Sequence, residues 1–286
     1  MITETNVFEI QASDHVPVSV TRFGPEKDNG RILLICSATG VKQSFYAAFA
    51  TYAAESGYTV YTFDYRGIGL SAPADLNGFE ATMRDWAQKD WKTVTRYLTV
   101  KHPGSKKFLI GHSIGGSFIG LSDAHEAFDA FVTVGSQLGY WRYFDASSKP
   151  KVLWFFHVAI PLLSVIKGYF PSAVKKLGEP LPYGVAFDWK TLIIHPKSIL
   201  ALAGKSENHY EKIRQPMLML SIEDDWMATR LAVDKLAGEV FVNARVERRH
   251  IEVAEGGSSS IGHMNLFRSG FKYTLWHIPL GWLAKQ

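Results

Sequence analysis

The sequence predicts an α/β fold, with a mostly parallel central sheet, helices on both faces and an inserted helical cap. Two observations lead there. Short apolar runs alternate with helix-patterned segments through the first 135 residues, and the same alternation returns after residue 214. Between them the chain is rich in large apolar residues and proline and shows no strand–helix rhythm, as expected of an insertion. The core is therefore expected at 1–136 and 214–286, and the cap at 137–213.

The elements follow in order. Val7–Ile10 and Pro17–Val20 flank the turn-forming Ser13-Asp14 and predict an antiparallel hairpin. Arg31–Cys36 is a continuous apolar run of the kind buried on both faces of a parallel sheet. Ser44–Glu55 has helical spacing and stops before Gly57, a usual terminator. Thr59–Phe63 predicts the next buried strand and ends in Asp64. A long helix is expected from Glu80 to Val100, with Trp86, Trp91, Val94 and Leu98 forming its apolar face. Lys107–Ile110 and Ala130–Val134 read as strands, separated by a helix beginning near Ile114. After the insertion come a strand at Met217–Leu220, a helix at Thr229–Ala237 and a strand at Arg245–Val253. The stretch Leu266–Leu283 is expected to be mainly helical.

Composition narrows the function classes. The chain has 286 residues, 47% hydrophobic and 13% aromatic, as a globular protein does. Its 31 Lys and Arg against 27 Asp and Glu are scattered, without the concentrated basic patch that nucleic-acid binding needs. The single cysteine, Cys36, excludes an internal disulfide framework and a multi-cysteine metal site. No metal motif is present, and no cofactor is expected. Residues 1–15 contain Glu4, Glu9 and Asp14 and lack an apolar core, so a signal peptide is not expected and a cytoplasmic location is. Val152–Ile166 is apolar but broken by His157 and Pro161 and too short to span a bilayer. It reads as a buried or interfacial helix, with weak interfacial contact but no stable membrane insertion.

The chemistry is carried by Gly111-His112-Ser113-Ile114-Gly115, a G-x-S-x-G string placed directly between a strand and a helix. A sharp turn there holds a serine hydroxyl out of a strained backbone, and the glycines remove side chains that would clash. The helix N-terminus turns the Ile114 amide toward a developing oxyanion. A serine needs a base and an orienting acid, in the chain order Ser, Asp or Glu, His. Asp225 follows the strand Met217–Leu220, and His263 follows a Gly/Ser loop after the strand ending at Val253. All three candidates lie in loops after strands, at one edge of the sheet. Two phosphate-loop lookalikes fail. Gly111–Ser117 has Ser117 where a lysine is required, and the Gly67–Ala72 segment is followed by Pro73 where a helix should open.

At these residues the chain resembles the α/β-hydrolase superfamily along nearly its whole length. Asp64-Tyr65-Arg66-Gly67-Ile68-Gly69-Leu70-Ser71 is similar to that family's D-x-R-G-x-G-x-S loop. Within the superfamily the chain is most similar to the capped, esterase- or lysophospholipase-like serine hydrolases. The cap segments Gly168–Pro171 and Leu181–Val185 resemble a branch of predicted hydrolases. Two departures are visible. The common His-Gly after the third strand is replaced by Ser37-Ala38-Thr39-Gly40, leaving the second oxyanion amide to Ala38 or Thr39. The usual G-x-x-D turn reads Ile222-Glu223-Asp224-Asp225, in which Asp225 matches by spacing and Asp224 is the alternative acid.

The resemblance implies a serine hydrolase that cleaves a carboxylic ester through an acyl-enzyme. Ser113 would attack, His263 would act as base, Asp225 would orient it, and Ile114 with Ala38 or Thr39 would bind the oxyanion. The apolar cap suggests a small-molecule substrate with an apolar acyl or aryl part. Thioesters, amides or peptides, and a cofactor-free oxidase-type reaction, would suit the same three side chains. A non-catalytic binding module would be expected to lack one of them.

Overall fold

The computed structural model describes residues 2–172 and 178–286. Among the described residues ten strands occur in chain order: β1 Ile2–Gln11, β2 Pro17–Pro25, β3 Arg31–Cys36, β4 Thr59–Phe63, β5 Lys106–His112, β6 Ala130–Val134, β7 Tyr169–Phe170, β8 Leu181–Pro182, β9 Pro216–Ile222 and β10 Arg245–Ile251. Eight of them form one sheet in the order β1-β2-β4-β3-β5-β6-β9-β10. The β1–β2 and β2–β4 pairs are antiparallel, and every pair from β4–β3 to β9–β10 is parallel.

The helices are α1 Ala47–Glu55, α2 Met83–Asp85, α3 Lys92–Lys101, α4 Ile114–Ser117, α5 Lys149–Trp154, α6 Ile160–Lys167, α7 Tyr183–Ile194, α8 Ile199–Ala203, α9 Arg230–Glu239 and α10 His277–Leu283. They cover both faces of the sheet. Successive strand residues point to opposite sides, and the parallel strands are apolar on both. Leu34, Leu109, Phe131 and Met219 face a layer with Trp86, Trp91, Val94 and Leu98, whereas Leu33, Ile110, Val132 and Leu220 face Phe49, Ala53, Trp276 and Leu283. The edge strand β10 carries exposed Arg245, Glu247 and Arg249, charges that discourage edge-to-edge pairing.

The predicted long helix begins three residues late, at Met83, because Thr82 and Asp85 form a capping box. A π turn at Trp86–Trp91 then separates α2 from α3. Two buried tryptophans five residues apart would diverge on an α-helix, and the wider turn lets both face the core. Tyr65 stacks on Trp86 at 4.6 Å, and the Trp86 indole N–H donates to the carbonyl of Arg66 at 3.0 Å.

The same turn buries Asp90 beside Arg66. Arg66 Nε donates to Asp90 Oδ1 at 2.7 Å and its backbone N–H to Asp90 Oδ2 at 2.8 Å, while the rest of the guanidinium grips Asp14 at 2.6 and 3.0 Å. Arg66 holds the Asp14 carboxyl well below the usual range. This ion pair fastens the β1–β2 turn and the loop after β4 to the long helix.

The insertion between β6 and β9 contains α5–α8 and the two-residue antiparallel pair β7–β8; residues 173–177 of the expected cap lie outside the described residues. α5, a π turn at Phe155–Ala159 and α6 run as one helix over Ala146–Lys167. The π turn precedes Pro161, which has no N–H to give the preceding turn. The C-terminal stretch Leu266–Leu283 is mainly helical as expected, but in short pieces: 3-10 helices at Asn265–Phe267 and Ser269–Phe271, then α10. Phe267, Phe271 and Trp276 are all buried, and the Trp276 indole N–H donates to the carbonyl of Leu266, a bond that ties the first of these pieces to the start of α10.

The Arg66 and Asp90 side chains are only 2% and 0% exposed. Asp90→Ala, which strands a buried guanidinium, should therefore lower the unfolding free energy by about 3–5 kcal/mol in urea titrations. The matched pair Arg66→Met with Asp90→Leu should cost less than Asp90→Ala alone.

Candidate active site

Four strands deliver the candidate residues to one edge. β3 and β5 lie side by side while the chain leaves β3 toward β4 on one side and continues from β5 toward β6 on the other. The crevice above their carboxyl ends is thus a topological switch point, where open α/β sheets place their ligands. Ala38 and Thr39 follow β3, Ser113 follows β5, Asp225 follows β9, and His263 follows β10.

The turn at Ser113 is as sharp as the motif requires, with φ 54° and ψ −118°. A side-chain carbon at Gly111 would fall 2.5 Å from the backbone nitrogen of Gly116, and one at Gly115 would fall 2.4 Å from the carbonyl oxygen of Cys36. Only glycine permits the strand and helix to approach this closely. The Ser113 backbone is then clamped. Its N–H donates to the Val134 carbonyl at 2.9 Å, and its own carbonyl accepts from Ser136 Oγ at 2.7 Å and Ser117 Oγ at 3.2 Å.

The three predicted side chains meet. Ser113 Oγ lies 3.0 Å from His263 Nε2, and His263 Nδ1 lies 2.6 Å from Asp225 Oδ2. A carboxylate only accepts, so Nδ1 carries the proton and Nε2 of the neutral ring is left to accept from the serine. Asp225 Oδ1 accepts the amides of Met227 and Ala228 at 3.0 and 2.8 Å. Burial works to raise the Asp225 pKa, but the nearby imidazole and these hydrogen bonds outweigh it, and the carboxyl stays below its usual range. Burial likewise works against a charged His263, yet Asp225 overrides it and raises the imidazole above its ordinary value.

The alternative acid, Asp224, is not in contact with the imidazole. It grips the loop that carries it: Asp224 Oδ2 accepts from Ser260 Oγ at 2.6 Å and the Ile261 amide at 2.9 Å, and Oδ1 accepts the Gly262 amide at 2.7 Å. Two adjacent carboxylates therefore divide the work, one on the ring and one on its backbone.

The Ala38 amide is also not where it was expected to serve. It donates to the hydroxyl of Tyr46 at 2.9 Å, which leaves Thr39 as the second candidate for the oxyanion. Ile114, the first residue of α4, has no intrahelical acceptor for its N–H.

Several neighbours carried no motif. Tyr46 Oη lies 2.7 Å from His112 Nδ1, and His112 Nε2 lies 2.8 Å from the backbone carbonyl of His263. The carbonyl can only accept, so Nε2 donates to it and the Tyr46 hydroxyl donates to Nδ1. Burial, with the His263 charge, pushes the His112 pKa down to about 3, which keeps this ring neutral. A directed line of hydrogen bonds thus joins the loop after β3 to the loop holding His263. Gln137 Oε1 is buried without a partner at the cavity wall, and Ser198, at φ 44° and ψ −118°, repeats the Ser113 backbone conformation on the same wall.

Ser113 and His263 open on a cavity of about 660 Å³. Trp189, Leu192 and Ile193 of α7 form one wall, and Phe45, Trp226 and Met227 contribute further apolar surface. Lys42, Arg268 and Glu179 supply the charges; Lys42 and Glu179 pair at 3.2 Å, and Arg268 lies over the Phe45 ring. Among the described residues no three His, Cys, Asp or Glu side chains are grouped to hold a metal ion.

No curated protein matches the sequence. Among solved structures, an esterase of Pyrococcus furiosus superposes with a TM-score of 0.62 at 17% identity, over 99% of this chain and 91% of that one. The esterase domain of a Rhodothermus marinus protein gives 0.59 at 15% identity, over 99% of both chains. A Xanthomonas campestris α/β serine hydrolase without a lid gives 0.52 at 13% identity, over 96% of this chain and 97% of that one. At such identities these likenesses establish the fold. The family described as serine aminopeptidase, S33, matches residues 27–257, a span that includes Ser113 and Asp225 and stops short of His263. The chain belongs to that family and is a serine hydrolase of the α/β-hydrolase fold.

Proposed function

We propose that the protein cleaves carboxylic esters with an apolar acyl or aryl part through an acyl-enzyme. The observation that carries this reading is the unbroken line Ser113 Oγ–His263–Asp225, at 3.0 and 2.6 Å, on the wall of a largely apolar cavity. In the first step His263 Nε2 takes the Ser113 proton as Oγ attacks the ester carbonyl. The tetrahedral oxyanion is received by the amides of Ile114 and Thr39, each contributing on the order of 3 kcal/mol. His263 returns the proton to the leaving alkoxide, and the acyl group remains on Ser113. Water, deprotonated by the same imidazole, then releases the acid. Asp225 keeps the proton on Nδ1 and stabilises the imidazolium between steps.

The family description makes peptide-bond cleavage the second reading. An aminopeptidase must hold the free α-ammonium of its substrate, for which a carboxylate in the cavity is the natural partner. Among the described lining residues only Glu179 supplies one, and it is paired with Lys42. Lys42 and Arg268 would repel an ammonium group. This balance favours an uncharged or anionic ester over a peptide N-terminus.

A fluorophosphonate probe should label the wild type and not Ser113→Ala. Matched aryl ester, thioester and anilide series should give the highest kcat/KM on the ester, and a faster rate on the N-terminal anilide would establish the peptidase reading instead. The neutral imidazole is the competent base, so kcat/KM should fall as pH drops through the His263 pKa, with a midpoint above the ordinary histidine value of about 6.5. Asp225→Asn should reduce kcat on the order of 10⁴-fold and move that midpoint down. Asp224→Ala, which frees the His263 loop, should lower kcat about 10–100-fold while moving the midpoint less than Asp225→Asn does.

A further inference from the structure

The helix Ala146–Lys167 is 22 residues long, and its most apolar window has a mean hydropathy of 1.4, yet only 28% of that window is buried. Trp154, Val158, Leu162, Val165 and Ile166 are between 44% and 66% exposed. Their spacing of i, i+4, i+8, i+11 and i+12 puts them on one side of the helix, along a stripe ~18 Å long at 1.5 Å per residue. No described residue covers that stripe. The opposite side is packed: Val152, Phe156, Ala159 and Ile160 are buried against the rest of the protein.

We propose that this stripe docks on the surface of an anionic lipid bilayer, with the helix lying flat in the interface. Its charges fit that partner. Between Ala146 and Lys167 the chain has three lysines and no carboxylate, with Lys149 and Lys151 at one end of the stripe and Lys167 at the other. Lysines at both ends can reach phosphate headgroups while the apolar side chains enter the acyl boundary, and Trp154 is suited to the polar–apolar junction. A second protein copy fits less well. Five partly exposed side chains on one convex helix fall short of the roughly 800 Å² per partner of a standard protein interface. The packed inner side and the flanking lysines make the helix one that lies on a bilayer and does not cross it.

The docked helix would stand one ring away from the cavity. Phe155 and Phe156 contact Trp189 at 6.1 and 5.1 Å between ring centres, and Trp189 lines the cavity that holds Ser113. An apolar substrate dissolved in the bilayer would thus meet the protein close to the cavity wall. The docking itself does not depend on which acyl bond the enzyme cuts.

The test is co-sedimentation of the full chain with vesicles of mixed phosphatidylglycerol and phosphatidylcholine, and of phosphatidylcholine alone. The wild type should pellet with the mixed vesicles and bind roughly ten-fold more weakly to phosphatidylcholine alone or in high salt. Leu162→Glu with Val165→Glu should lose roughly ten-fold or more of the binding while keeping wild-type turnover of a soluble aryl ester. Lys149→Glu with Lys151→Glu and Lys167→Glu retains the stripe and should lose the preference for anionic vesicles. A wild type that stays in the supernatant overturns the proposal, as does equal pelleting of the Leu162/Val165 variant or equal binding to both vesicle types. So does a wild-type dimer that this variant converts to monomer without vesicle binding, which would assign the stripe to a second copy.

Discussion

The site depends on how closely three pieces of backbone approach one another around Ser113. β3, β5 and α4 meet where a single methyl at Gly111 or Gly115 would collide with main-chain atoms that cannot move without dismantling the sheet. That approach permits a positive φ at a serine, a conformation that costs of order 1–3 kcal/mol and persists only where the surroundings over-determine it. Three hydrogen bonds to the Ser113 backbone, with Val134 of β6, the nearby Ser136 and Ser117 of α4, supply that constraint. The hydroxyl is thereby aimed by the fold, and little side-chain entropy remains to be lost when it engages the imidazole.

A second constraint aligns the loops. Ala38 in the loop after β3 and His263 in the loop after β10 are 225 residues apart in sequence, and nothing in local geometry obliges the two loops to agree. Tyr46 and His112 connect them through hydrogen bonds whose donor and acceptor roles are all determined: amide to phenol, phenol to imidazole, imidazole to carbonyl. The line works only while His112 is neutral, and burial ensures that. Asp224 reinforces the far end by holding three consecutive residues ahead of His263. The imidazole is therefore fixed from its backbone as well as from its ring.

Legibility from sequence followed the range of the interactions. The sheet strands β3, β4 and β6 matched apolar runs residue for residue, because a strand buried on both faces is nearly continuous in apolar residues, broken here only by Arg31 at the start of β3 and by threonines in β4 and β6. Ser113, Asp225 and His263 were readable for a related reason: chain order and strand ends restrict the choices when each must sit in a loop. Tyr46 and Ser198 were not, since they act through contacts between distant segments, Tyr46 with Ala38 and His112 and Ser198 with the Gly139 amide, and bear no pattern of their own. The Ala38 amide illustrates the limit. Its position after β3 suggested an oxyanion donor, and only the location of a phenol eight residues on reveals that it is already engaged. The C-terminal stretch is helical as expected but broken into short pieces, a division that buried aromatics and an indole hydrogen bond favour.

The adjacent carboxylates Asp224 and Asp225 show how environment divides chemistry between like groups. Both are held below the usual carboxyl range against the opposing effect of burial. For Asp224 the opposing donors are a hydroxyl and two amides of one loop, so its charge is used up in holding backbone. For Asp225 the amides of Met227 and Ala228 satisfy one oxygen and leave the other to a titratable ring. The amides hold the first oxygen in place, while the imidazole contributes the largest share of what keeps the carboxyl ionised. The proposed base step, in which the imidazole accepts a proton and returns it, relies on this pairing.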